Sequence, residues 1–142
     1  MIYIDKSSFL RLLFLETFAV EIETQLSGEE GIVISELTLL EIEVQLRALR
    51  YSGAIGHSKS EKLAEQVTGM LESGSFLLMK VSAAIFGKGV RQHRVGTVHC
   101  RSLDRLHLAA MEDLGLRRLM THDFRQAEAA RELGIEVVMP GM

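Results

Sequence analysis

Short apolar runs of strand-forming residues recur along this chain. Between them, apolar residues return at the helical spacing. Ile2-Tyr3-Ile4 is the first run, stopped by Asp5. Ser7 or Ser8 is placed to cap a helix carrying Phe9, Leu10, Leu12 and Leu13. A second helix is predicted from Glu16 to Leu26, ended by Gly28. Gly31 to Ile34 reads as a second strand, after which Ser35 caps a helix through Leu39, Ile42, Leu46 and Leu49. Gly53 and Gly56 break it, and Ser58 or Ser60 opens another through Leu63, Val67, Met70 and Leu71. Phe76 to Met79 is a third strand, and Val81 to Arg94 a helix. Ser102 caps the run Leu103, Leu106, Ala110 and Leu114, with Gly115 as its C-terminal stop. Leu116 to Met120 is a fourth strand. Asp123 and Gln126 have capping-box spacing for a helix through Leu133, and Ile135 to Val138 is the last strand.

Strands alternate with helices and no tight hairpin signal appears, so the crossovers are helical. This predicts an α/β fold: a three-layer α/β/α sandwich with a mainly parallel sheet of about five strands. The chain has 142 residues and one proline, Pro140, with no linker, repeat or low-complexity tract. A single domain over residues 1–142 is expected. Charged residues are 25% and hydrophobic residues 47%, which excludes a disordered tail, a fibre and a coiled-coil rod. One cysteine, Cys100, excludes an intrachain disulfide framework and fits a reducing compartment. The apolar stretch from Phe76 to Phe86 contains Lys80 and is shorter than the ~20 residues of a membrane span. Asp5 and Lys6 precede any signal-peptide h-region. The expected location is the cytoplasm.

In open α/β sheets, function gathers beyond the carboxyl ends of the strands. Asp5 ends the first strand, and Thr121 and Asp123 follow the fourth. Glu41 lies in the second turn of the helix after the second strand, and Asp104 is one helical step from His107. Structural roles are available to most of these acids. Asp123 suits an N-cap, Asp104 suits a helix dipole, and Glu41 suits a narrow exposed helix face. Asp5, flush against an apolar strand, needs a partner.

The segments Met1-Ile-Tyr-Ile-Asp5, Ile34-Ser-Glu-Leu-Thr-Leu-Leu-Glu41, Leu103-Asp-Arg-Leu-His-Leu-Ala109 and Met120-Thr-His-Asp123 resemble a PIN domain. The tail from Ala127 to Gly141 resembles that family's last helix and strand. The fit is to the VapC-like branch, the toxin half of bacterial toxin–antitoxin pairs, over essentially the whole chain. The resemblance implies a sheet order of 3-2-1-4-5, which sets the first and fourth strands side by side. It implies a metal-dependent endoribonuclease with an acidic quartet of Asp5, Glu41, Asp104 and Asp123, supported by Ser7 and Thr121. It also implies an RNA substrate, a cognate antitoxin and a homodimer. Clustered carboxylates repel one another and favour a hard divalent cation. Oxygen ligands select Mg²⁺ or Mn²⁺ over Zn²⁺. One position departs from the family pattern: Lys6 stands where Thr or Ser usually follows the first Asp. An ammonium that turned toward the acids would compete with the metal. The alternative is a catalytically impaired PIN-like module that binds RNA or protein.

From Ser73 to Leu103 there is no acidic residue, although the net charge is −3. Lys88, Arg91 and Arg94 in that segment are candidates for RNA phosphates, beside the bland reading of a solvated helix face. His93, His99 and Cys100 lack a fourth ligand at a zinc spacing. His107 is expected to pack or hydrogen-bond near Asp104, and the seven methionines to fill core. A phosphoacceptor receiver domain would need an Asp after the third strand, where this chain has Lys80.

Overall fold

The computed structural model describes residues 1–142. Five strands are β1 (Ile2–Ile4), β2 (Ile32–Ser35), β3 (Leu77–Met79), β4 (Arg118–Met120) and β5 (Glu136–Val138). The helices are α1 (Lys6–Leu13), α2 (Ala19–Ser27), α3 (Glu36–Tyr51), α4 (His57–Glu72), α5 (Ala84–Val95), α6 (Ser102–Leu114) and α7 (Phe124–Glu132). The sheet runs β3-β2-β1-β4-β5, and every pairing is parallel. No helix is long and apolar enough to cross a membrane.

Side chains alternate along a strand, so each strand feeds two cores. Ile2, Ile4, Ile34 and Met120 face one layer, with Phe9 and Leu13 of α1, Ile22 of α2, Ile42 of α3 and Leu63 of α4. Tyr3, Val33 and Leu119 face the other, against Leu108 and Met111 of α6 and Ala129 and Ala130 of α7. α5 packs outside α6, with Ile85 on Ala109 and Ala110. The small alanines allow that close approach.

Several helix starts differ from the sequence expectation. Asp5, rather than Ser7 or Ser8, is the N-cap of α1, its carboxylate accepting from the Ser8 N–H at 3.1 Å. α2 begins at Ala19 and not Glu16, because Leu15 and Phe18 have left-handed φ of 53° and 72°, which a right-handed helix cannot contain. Phe18 stacks on His122 with ring centroids 5.7 Å apart. Gly141 lies against the Phe18 ring at φ +82°, where a Cβ would overlap the ring carbons. Gly56 and Arg101, not Ser58, Ser60 or Ser102, precede α4 and α6. Ser35 precedes α3, but its hydroxyl caps nothing there. Asp123 does cap α7, accepting from the N–H groups of Arg125 and Gln126. The capping box is not closed, because the Asp123 N–H donates to Thr121 Oγ1 at 3.0 Å.

At the amino ends of the strands, Arg118 donates to Glu29 at 2.5 Å and to Glu136 at 3.2 Å. Gln25 donates to the other Glu29 oxygen. The Arg118 hydrogen bond is the main cause holding the Glu29 carboxyl below its usual range. A lowered folded pKa means stability that is present above the unfolded value and lost as pH falls through the folded one. Glu29→Gln is therefore expected to cost about 1 kcal/mol at pH 7, and the deficit shrinks below pH ~4. Urea unfolding at both pH values checks it.

Candidate active site

The chain leaves β1 for β2 and β3 on one side and returns to β4 on the other. The sheet order therefore reverses beside β1, and a crevice opens there at the carboxyl ends. Register places Ile4 opposite Met120, and the Asp5 N–H donates to the Met120 carbonyl at 3.2 Å. The next residue along β4 is Thr121. Its hydroxyl lies 2.6 Å from Asp5 Oδ2, and the Ser7 hydroxyl donates to Asp5 Oδ1 at 2.7 Å. With Ser8 N–H, three donors fix this carboxylate at 4% exposure. Burial nevertheless pushes the Asp5 carboxyl above its ordinary range, the hydrogen bonds from Thr121 and Ser7 opposing it. Ser7 and Thr121 thus hold the supporting places expected of them.

Glu41 approaches from α3. His107 Nε2 stands 2.8 Å from Glu41 Oε2, and His107 Nδ1 stands 2.6 Å from the Tyr3 hydroxyl. With a neutral imidazole, Nε2–H donates to the carboxylate and Nδ1 accepts from Tyr3. The Tyr3 oxygen also meets Ser35 Oγ at 2.7 Å and Thr38 Oγ1 at 3.2 Å. Burial pushes the Tyr3 phenol well above its usual pKa, so it remains a donor. His107 therefore does not pair with Asp104, as expected from sequence; it orients Glu41. Tyr3 and His107 were not legible as site residues, because their partners lie far off in the chain. Tyr3→Phe would leave buried polar groups on three side chains without their shared partner. The expected cost is about 2 kcal/mol, measured by urea denaturation.

Asp104 and Asp123 are joined by a residue the sequence did not single out for the site. Arg101 Nε donates to Asp104 Oδ2 at 3.2 Å, and its Nη2 is 3.6 Å from Asp123 Oδ2. Asp104, Asp123 and Glu41 together raise the Arg101 pKa, the Asp104 hydrogen bond contributing most. Arg101 thus ties Asp104 to Asp123 and feels the Glu41 charge, and Thr121 Oγ1 touches both Asp5 and the Asp123 N–H. Lys6 also turns inward, with Nζ 3.8 Å from Glu41 Oε1. It is the first helical residue, so strand alternation does not send it away. As the side chains stand, no group of three acids, histidines or cysteines is close enough to hold one metal ion. Arg101 and Lys6 lie between the acids instead.

The basic candidates divide. Lys88 pairs with Asp113 at 3.9 Å, and Arg91 pairs with Glu112. Both therefore face acids of α6 and are not free phosphate ligands. Arg94 instead lines a groove between α5 and the segment leading into α6. His93, His99 and Cys100 line the same groove without forming a metal-binding group.

Comparison with known proteins identifies the family. The PIN domain family model covers residues 2–132. Ribonuclease VapC47 of Mycobacterium tuberculosis (strain CDC 1551 / Oshkosh) is 27% identical over 145 residues, spanning 99% of this chain and 98% of that protein. FitAcB from Neisseria gonorrhoeae superposes with a TM-score of 0.77 at 16% identity, over 99% of this chain and 98% of its own. A toxin–antitoxin complex from Klebsiella pneumoniae gives 0.69 at 18% identity, over 99% and 98%. With the five strands in the order the resemblance implied and the acids gathered beside β1, the chain belongs to the PIN domain family.

Proposed function

We propose that this chain is an endoribonuclease that hydrolyses RNA phosphodiester bonds and acts as the toxin of a toxin–antitoxin pair. The observation that carries this reading is the buried Asp5 carboxylate, clamped by three donors at the β1–β4 crevice with Glu41, Asp104 and Asp123 around it. A buried carboxylate so firmly oriented, yet pushed toward protonation, is short of positive charge. The four acids offer only oxygen ligands, which suits a hard divalent cation, Mg²⁺ or Mn²⁺. Asp5, Glu41, Asp104 and Asp123 would hold it once Arg101 and Lys6 give way. Bound there, such a cation supplies Lewis acidity toward phosphate oxygens and water.

The chain's own residues do the rest. Ser7, Ser8 and Thr121 keep Asp5 in one rotamer. Tyr3 and His107 hold Glu41. Arg101 and Lys6 are exposed enough to exchange a carboxylate for a phosphate oxygen, so they draw the strand toward the acids as they release them. VapC47 is named a ribonuclease, which supports the same chemistry.

The direct test is cleavage of a mixed RNA by the purified protein with Mg²⁺, with Mn²⁺ and with EDTA. Cleavage in metal and none in EDTA is expected; intact RNA at millimolar metal overturns the reading. A second reading, a PIN-like module impaired in catalysis that binds RNA or protein, draws on the cations seated among the acids. RNA binding without metal binding would favour it. We also propose the domain to be residues 1–142, its setting the cytoplasm, and its partners a cognate antitoxin and a second copy of the chain. Exposed Leu15, Leu40 and Val44 offer such partners apolar surface. Light scattering is expected to give a dimer mass at micromolar concentration; a monomer mass removes the homodimer.

A further inference from the structure

A groove of about 790 Å³ lies between α5 and the segment leading into α6. Phe86, His93, Arg94, His99, Arg101 and Arg105 line it, and no acidic residue does. In a chain of net charge −3, Arg94, Arg101 and Arg105 border this groove, Arg101 being paired at its mouth with Asp104 and Asp123 and able to exchange them for a phosphate. Arg101 also lines the neighbouring pocket that holds Asp104 and Asp123, so the groove opens onto the acidic edge.

Its floor contains an unusual group. Arg105 is 5% exposed. Its Nη2 donates to the Val98 carbonyl at 3.1 Å, while Nε and Nη1 have no hydrogen-bond partner. The stem lies under Gly89, where a Cβ would sit 3.6 Å from Arg105 Cγ. Glu132 feels the Arg105 charge, but its oxygens accept from Thr97 and Val98. A buried cation with two unmet donors is costly, and native proteins satisfy such groups. Both atoms are closed to solvent, so an anionic oxygen in the groove would satisfy them as the guanidinium turns toward it.

We propose that this groove is the seat of the RNA strand. A backbone phosphate is held by Arg105 with Arg94 and Arg101. A base stacks on the exposed ring of Phe86 beside His93 or His99. The inference rests on the ribonuclease reading and names where its substrate lies. Planar side chains between guanidinium groups suit a single strand, whose bases are free to stack and whose phosphates recur along the chain. An acidic peptide would use the arginines but leave the aromatic rim idle. A strand seated here leads straight through Arg101 to the acids.

The test is fluorescence anisotropy of a labelled single-stranded RNA in EDTA, where binding is read without cleavage. Arg94→Gln is expected to weaken binding several-fold and to lower the salt slope by about 0.7 for the phosphate no longer neutralised, whereas Arg105→Lys, which keeps the charge and loses only the guanidinium fork, is expected to weaken binding several-fold with the slope little changed. Phe86→Ala is expected to weaken binding about fivefold or more with the slope unchanged. Lys88→Ala and Arg91→Ala, which pair with α6 acids, should change neither. Arg94 and Phe86 are exposed, so their variants keep the fold, and melting curves check Arg105→Lys. RNA bound by Arg94→Gln and Phe86→Ala with wild-type affinity and slope overturns the groove. So does an oligoglutamate peptide whose binding depends on Arg94 while RNA binding does not. Cleavage in Mn²⁺ separates the two ideas: groove variants that cleave with a wild-type KM sink the groove and leave the ribonuclease standing. A wild-type protein that neither binds nor cleaves RNA sinks both.

Discussion

Asp5→Asn is expected to lower RNA hydrolysis by more than about a hundredfold, while the metal-free protein melts a few degrees higher than wild type. The first effect follows from position. Changes to residues that merely support a metal ligand cost about 10–100-fold, and Asp5 is the carboxylate that Ser7 and Thr121 support. The second effect follows from linkage. Burial raises the Asp5 pKa on folding. Its contribution to stability is therefore fully present below the unfolded value and is lost as pH rises through the folded one. At neutral pH, above the unfolded value, burial of this carboxyl therefore works against the fold. Asn removes that charge and still accepts from the Ser8 N–H, as a helix cap must. Melting curves in EDTA should show the gap at pH 7 and its closure toward pH 4. A variant that retains activity excludes Asp5 from the chemistry.

Lys6→Thr combined with Arg101→Gln is expected to tighten Mn²⁺ binding by roughly three- to tenfold. Lys6 reaches Glu41, and Arg101 bridges Asp104 and Asp123. A metal ion must displace both interactions before it meets the carboxylates. Partial exposure and salt screening keep the effect moderate, so it should grow as ionic strength falls. Calorimetric titration without RNA reads it cleanly, because Arg101 also belongs to the groove. Equal affinities would mean that neither cation hinders the ion, and the departure at position 6 would be neutral.

The sheet was legible because each strand is a short apolar run bounded by helix signals, and Ile2 to Ile4 or Ile32 to Ile34 fit little else. The acids drew notice first as carboxylates at strand ends and helix starts and then through resemblance to a family, since no single spacing joins Asp5, Glu41, Asp104 and Asp123, which come from four separate elements. What holds them was not legible. Tyr3 reads as a strand aromatic, and only the fold brings His107 to it from 104 positions away. Arg101 reads as one more basic residue in an acid-free segment. Lys88 and Arg91 read the same way, yet α6 presents Asp113 and Glu112 to them. Local charge pattern cannot separate a paired cation from a free one. The same limit hid Arg105, which is buried only because α5 packs against α6.

The placement of the crevice between β1 and β4 has a consequence for synthesis. Asp5 and Thr121, which share a hydrogen bond, are 116 positions apart. At ~5–20 residues per second, about 6 to 23 seconds separate their appearance from the ribosome. Until β4 exists, Asp5 has neither its Thr121 donor nor Asp123 just beyond it. A nascent chain therefore lacks the complete acidic edge through nearly all of its translation, and gains it only when the late strand docks against the first.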